Sequence, residues 1–245
     1  MSRLRTASLS LLISSFPLAA IAQTQLTPEQ RGDIYMARKM YREAIDTYTE
    51  SARSAQQATA AILWDKIGIA WHQLGNLNAA RKAYEHAIKL DKQYGDAINN
   101  VGTVFYAEKK YRSAISRYTK ALKYSPDSAA IWSNLGTAWY ARRKFDLMTQ
   151  AYMKALQLDP EVFEKHGSVG TRMLDRGVTD VARYHFEMAR MYANTGRNEL
   201  ALRYLRKALE EGFKEKEKLE QSKEFAALRE TQEFKDLMSL EPRVL

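Results

Sequence analysis

Four histidines, His72, His86, His166 and His185, are the side chains best suited to move protons or ligate a metal near neutral pH. They fall in different parts of the chain, with no His-x-x-x-His pair and no acidic partner at ligand spacing. There is no cysteine. Its absence removes thiolate nucleophiles, cysteine-ligated metals, a disulfide framework and a lipid-anchored N-terminal cysteine. Gly167-Ser168-Val169-Gly170 is a short glycine pair without the lysine and hydroxyl of a phosphate loop, and reads as a turn. No G-x-S-x-G elbow or G-x-G-x-x-G fingerprint occurs. These absences point away from an enzyme, and no cofactor or metal motif is present. The chemistry that remains belongs to surfaces. Three short basic runs stand out: Arg38-Lys39 with Arg42, Lys109-Lys110 with Arg112, and Arg142-Arg143-Lys144.

The 245 residues carry a formal net charge of +9, with 45% hydrophobic and 27% charged residues. That composition suits a folded protein. The basic balance is compatible with an acidic partner or an anionic surface, and predicts no specific nucleic acid. Few prolines and glycines favour helix. The N-terminus reads as a secretory signal. Arg3 and Arg5 form a positive start, residues 7–21 are uncharged and largely apolar, and Ala20-Ile21-Ala22 is a small-x-small cleavage site. The expectation is cleavage between Ala22 and Gln23, a periplasmic or secreted mature chain, and no transmembrane segment in it. The apolar run is shorter than the roughly 20 residues that span a bilayer.

The elements that would position any surface chemistry are set by an internal repeat. Gly68, Gly102 and Gly136 lie 34 residues apart in succession, each inside an apolar, aromatic-rich stretch. One copy, from Ala61, has Trp64, Ile67, Gly68, Trp71, Ala80, Tyr84 and Ala87. The next, from Gly95, has Ile98, Val101, Gly102, Phe105, Ala114, Tyr118, Ala121 and Pro126. The third, from Ala129, has Trp132, Leu135, Gly136, Trp139, Tyr152, Ala155 and Pro160, with Met148 where the others have alanine. In helical geometry the first four of these positions fall on one stripe of a first helix, A, and the later ones on a stripe of a second, B. The four tryptophans sit on the packing stripe and are expected in the core.

This pattern resembles the tetratricopeptide repeat, in period and at each named position. Weaker copies flank it. Residues 23–60 hold a degenerate first repeat with Gly32, Tyr35, Ala44 and Tyr48, and residues 182–215 another with Met188, Ala189, Tyr192, Ala201, Leu205 and Ala208. Residues 61–162 hold the three good copies, 163–181 an irregular insert, and 216–245 a C-terminal capping segment. The resemblance implies an all-α, right-handed solenoid of antiparallel helix pairs with capping helices. It also implies that the face of helix A opposite the packing stripe lines a concave groove where peptides dock. Carried over by position, that groove comprises Ile62, Asp65, Ile69 and His72, then Asp96, Asn99, Thr103 and Tyr106, then Ala130, Ser133, Thr137 and Tyr140. A carboxylate clamp of the kind found in chaperone-tail receptors is not expected. Asp65, Ile69, Ala130 and Asn134 replace its clamp residues, and Asn100 alone matches.

The function expected is a non-catalytic scaffold holding a peptide or protein in that groove. A second possibility is a soluble factor that meets an anionic polymer or membrane through a basic edge. That edge would be formed by Lys109, Lys110, Arg112, Arg142, Arg143 and Lys144, which fall at equivalent A–B turns of adjacent repeats. An enzyme built on the 163–181 insert is the remaining alternative.

Overall fold

A computed structural model describes residues 26–163 and 180–239. The expected signal segment and nearly all of the residues assigned to the insert, His166 and Gly167–Gly170 included, lie outside the described residues. The described chain forms five helix pairs: α1 (Pro28–Ala37) with α2 (Tyr41–Ser54), α3 (Gln57–Gln73) with α4 (Leu77–Leu90), α5 (Gly95–Ala107) with α6 (Tyr111–Ala121), α7 (Ala129–Ala141) with α8 (Phe145–Leu158), and α9 (Val181–Asn194) with α10 (Asn198–Glu210). A short helix α11 (Lys216–Gln221), a 3-10 turn (Lys223–Phe225) and α12 (Gln232–Ser239) follow. The architecture is an all-α solenoid. No helix among the described residues is long and apolar enough to cross a membrane.

Local sequence starts these helices. Thr27 and Gln30 form a reciprocal capping box on α1, with Pro28 in the first turn. Asn76, Ser128 and Asp180 accept from backbone N–H groups three residues on and cap α4, α7 and α9.

Close A–B packing follows from one exchange of volume. Each A-helix glycine lies under the B-helix tyrosine sixteen residues later: Gly32 under Tyr48, Gly68 under Tyr84, Gly102 under Tyr118, Gly136 under Tyr152. A Cβ on any of these glycines would lie 2.3–2.5 Å from a ring carbon, well inside contact distance. In the last pair Ala189 takes the glycine position and Leu205, also sixteen residues on, takes the tyrosine position; both are fully buried. The larger A-side residue is matched by a smaller B-side one. The tryptophans are half-buried against the core, and Trp132 Nε1 donates to the Pro126 carbonyl at 2.8 Å.

The C-terminal segment closes the last pair, as the sequence expects. Phe213, Leu219, Phe225, Leu228, Phe234 and Leu237 are all buried. Phe186 of α9 stacks on Phe213 with ring centroids 4.4 Å apart. Glu187, wholly buried on α9, accepts from Arg183 at 2.9 Å and Arg190 at 3.0 Å. Arg183 reaches on to Glu215 at 2.9 Å, and Arg190 to Glu224. A buried carboxylate is tolerable only when paired in this way.

Candidate functional site

The expected groove residues occupy one face of α3, α5 and α7, but the middle of that face is sealed. Asp65, Asn99, Thr103, Tyr106, Ser133, Thr137 and Tyr140 are buried, Ile69 and His72 are half-buried, and Ile62, Asp96 and Ala130 are exposed. The sequence predicts an open surface. In the structure, α3 and α7 both lie against α5 closely enough for their small polar side chains to bond to one another.

Those bonds form a chain across three repeats. Asn134 Nδ2 donates to Asn99 Oδ1 at 2.9 Å. Asn99 Nδ2 donates to Asn100 Oδ1 at 3.2 Å, and Asn100 Nδ2 to Asp65 Oδ1 at 2.9 Å. Asn100 and Asn134 are therefore part of the site, although the groove positions alone do not select them. The signal that finds them is a spacing of 35, not 34: Asp65 to Asn100, and Asn99 to Asn134. Contacts between stacked A helices run diagonally, one residue out of repeat register. Burial pushes the Asp65 carboxyl up to about 7; the Asn100 hydrogen bond opposes this, and nearby Asp96 adds to it. Burial also lowers the pKa of His72, which favours its neutral form at pH 7.

The B-helix tyrosines reach the same face through the glycine gaps. The residue after each glycine meets the hydroxyl in two repeats: Tyr48 donates to Asp33 Oδ1 at 2.6 Å, and Tyr152 lies 3.0 Å from Thr137 Oγ1. Thr137 itself donates to the Ser133 carbonyl at 3.0 Å. Tyr106 packs its ring 5.3 Å from Tyr111, and burial with this neighbour pushes its phenol up to about 12. Tyr140 is held from the far side of the insert. Its hydroxyl donates to the Asp180 carbonyl at 2.7 Å, and its ring meets Tyr184 edge-on at 5.5 Å.

The basic turns have a shared geometry. After α1, α5 and α7 the chain turns through Lys39, Lys109 and Arg143, at φ of 60°, 59° and 57°. Each is the left-handed residue of a Schellman motif. For Lys109 the bonds are Lys109 N–H to the Tyr106 carbonyl and Lys110 N–H to the Phe105 carbonyl, both 2.8 Å. Gly75 and Gly196 fill the equivalent place after α3 and α9. Three turns thus put a long cation where glycine is less strained. Tyr111, Tyr140, Arg143, Phe145, Asp180 and Arg183 line one cleft of about 120 Å³; of the six residues expected at the basic edge, it includes Arg143 alone. Lys109, Lys110, Arg112, Arg143 and Lys144 are exposed and Arg142 is half-buried; Lys110 pairs with Glu108 at 2.8 Å. Among the described residues no cluster of three or more His, Asp or Glu side chains could hold a metal ion.

Sequence profiles of three repeats recognise the chain: "Tetratricopeptide repeat" over residues 61–94 and 182–211, and "TPR repeat" over 102–141. The chain is a tetratricopeptide-repeat protein. No curated protein matches it. Among solved structures, it is similar to MamA (residues 41 to the end) of Desulfovibrio magneticus RS-1 at 21% identity. That match has a TM-score of 0.50 and covers 75% of this chain and 92% of MamA. It is also similar to the APC/C hetero-tetramer Cut9–Hcn1, at 19% identity and a TM-score of 0.52, over 86% of this chain and 35% of that one. At these identities the likeness is one of fold. Within this TPR architecture the glycine–tyrosine exchange recurs in four of the five described pairs.

Proposed function

We propose that this TPR chain is a non-catalytic protein-interaction scaffold that holds a peptide or protein segment along its inner helix face. The observation that carries the reading is the hydrogen-bonded chain Asn134–Asn99–Asn100–Asp65, which ties three successive A helices into one rigid polar floor. Beside that floor lies a rim that a partner can reach: Ile62 and Asp96 exposed, Ile69 and His72 half-buried. A rim of mixed aliphatic and polar side chains over a polar floor suits an extended segment with alternating side chains. The test is capture of partners from a native envelope fraction by the wild-type chain and by the double variant Ile69→Glu/His72→Glu. Both side chains are half-buried, and Ile69 packs against the cluster of Ala80, Tyr84, Val101 and Val104, so the circular dichroism spectrum and melting temperature are measured beside capture; helicity is expected to persist while capture of the wild type's partner is lost. Equal capture by both forms would place the binding surface elsewhere.

We further propose that the scaffold works after export, a reading supported by the N-terminal arginines, the apolar run and the Ala20–Ala22 cleavage site. Intact-mass analysis of the exported chain is expected to give a mature form beginning at Gln23. Retention of Met1–Ala22 would refute both the signal and the location.

A second reading is favoured by Lys39, Lys109 and Arg143, which hold a left-handed conformation that glycine takes more easily. In it the A–B turns meet an anionic surface. Association through such exposed charges weakens steeply between low and moderate salt, over a Debye length of about 10 Å at 0.1 M. Persistence of association at high salt would exclude it.

A further inference from the structure

The outer face of the solenoid differs from helix to helix in charge. Helices α2, α4, α8 and α10 each carry at least one acidic residue, whereas α6 carries none. No acid occurs from Lys109 to Pro126, a stretch that holds six cations: Lys109, Lys110, Arg112, Arg117, Lys120 and Lys123. Helical spacing puts Arg112, Ser113, Ser116, Arg117 and Lys120 on a single arc of α6. The arc opposes the side that buries Ala114, Ile115, Tyr118 and Ala121.

These five side chains, with Phe105 from α5, line an open cleft of about 350 Å³. No carboxylate lines it, and none of its three cations has an ion pair among the described residues. The Arg117 guanidinium lies 5.9 Å from the centre of the Phe105 ring, which makes one wall both flat and apolar. The cleft is separate from the inner face and, apart from Arg112, from the basic turns.

We propose that this cleft binds a phosphate-bearing group. Two guanidinium forks, one ammonium and two hydroxyls converge more N–H and O–H donors than a single carboxylate can accept. A phosphate or diphosphate, with more oxygens and more charge, matches that donor set. The volume lies at the small end of the range for small-molecule sites, which suits a headgroup or a small phosphate ester and not a length of folded chain. Phe105 offers contact to an apolar or ring portion next to the phosphate.

The test uses the mature full chain at low salt, titrated with inorganic pyrophosphate by calorimetry and with phosphatidylcholine vesicles containing phosphatidylglycerol by co-sedimentation. The variant Arg112→Ala/Arg117→Ala/Lys120→Ala removes the cleft's cations. The variant Arg81→Ala/Lys82→Ala/Lys89→Ala removes the same charge from α4. Affinity is expected to fall about tenfold or more in the α6 variant and to change far less in the α4 variant. Pyrophosphate binding without vesicle binding identifies a soluble phosphate compound; vesicle binding that pyrophosphate displaces identifies a lipid headgroup. Ser116→Asp, which puts a carboxylate into the cleft at an exposed position, is expected to abolish binding with helicity intact. Equal loss in the α4 and α6 variants, or no binding of either probe to the wild type, overturns the proposal.

Discussion

Replacing Gly136 by alanine sets helix propensity against packing. Alanine is preferred over glycine in a helix interior by about 1 kcal/mol. The new Cβ, however, would stand 2.3 Å from Tyr152 Cδ1 and 2.4 Å from Cε1. Tyr152 has little freedom to retreat: it is fully buried, its ring meets Phe163 at 4.7 Å, and its hydroxyl is bonded to Thr137. Overpacking of this kind costs about 1–3 kcal/mol, and a displaced ring also loses a hydrogen bond worth about 1 kcal/mol. The sum is a net destabilisation of about 1–3 kcal/mol, despite the gain in propensity. The last helix pair shows how the clash is avoided, with Ala189 facing Leu205. In a Tyr152→Leu background, Gly136→Ala is therefore expected to be neutral or stabilising by up to about 1 kcal/mol. Urea denaturation of the four proteins, followed by circular dichroism, gives the coupling directly, expected at about 1–4 kcal/mol. If Gly136→Ala stabilises the wild type, or costs the same in both backgrounds, the glycine–tyrosine exchange does not govern A–B spacing.

Three further outcomes follow from other parts of the chain. Changing Lys39, Lys109 and Arg143 together to glycine relieves about 1–2 kcal/mol of left-handed strain at each site and raises unfolded-chain entropy by about 0.4–1 kcal/mol. The triple variant should melt a few degrees higher, and an unchanged or lower melting temperature would show that these turns are unstrained. Asp65, pushed up to about 7 by burial, keeps in the folded state a proton that the unfolded chain releases near pH 4. Its contribution to stability falls as pH rises from about 4 to 7 and is flat above; Asp65→Asn should abolish that slope and be more stable above pH 7 by on the order of 1–3 kcal/mol. Glu187→Ala removes the carboxylate that links Arg183 and Arg190 and leaves each with one acidic partner, Glu215 or Glu224. The loss of these charge-assisted hydrogen bonds should cost about 1.5–3 kcal/mol, read as early hydrogen exchange in α11 and α12; exchange unchanged there would mean that the ion network does not hold the cap.

The repeat was legible because its packing positions are selected by volume. Gly68, Gly102 and Gly136, the tyrosines sixteen residues later and the buried alanines recur in strict register, and each position has one physical role. The degenerate 182–215 copy could be placed because Met188, Ala189, Tyr192, Ala201, Leu205 and Ala208 keep the register. The inner face was legible as a set of positions and not as a surface. Residues such as Asn99 and Thr137 look the same in sequence whether they face solvent or a neighbouring helix. Sealing depends on the diagonal contact between A helices, whose 35-residue offset hides within a 34-residue pattern. The cationic turns were visible as charge, but the left-handed backbone beneath Lys109 and Arg143 was not, since only the glycines at the equivalent places, Gly75 and Gly196, hint at it. The Glu187 network reaches residues 32 and 34 positions apart at its outer contacts, Arg183 to Glu215 and Arg190 to Glu224, and no local pattern announces such pairings.

The proposal that the inner helix face holds a protein partner is tested most directly by photo-crosslinking in the native setting. A photoreactive amino acid is placed at Ile69 on the rim, and separately at Lys82 on the exposed side of α4. The account predicts a discrete covalent adduct of one partner from position 69 and none from position 82. Adducts from position 82 with none from position 69 would contradict it.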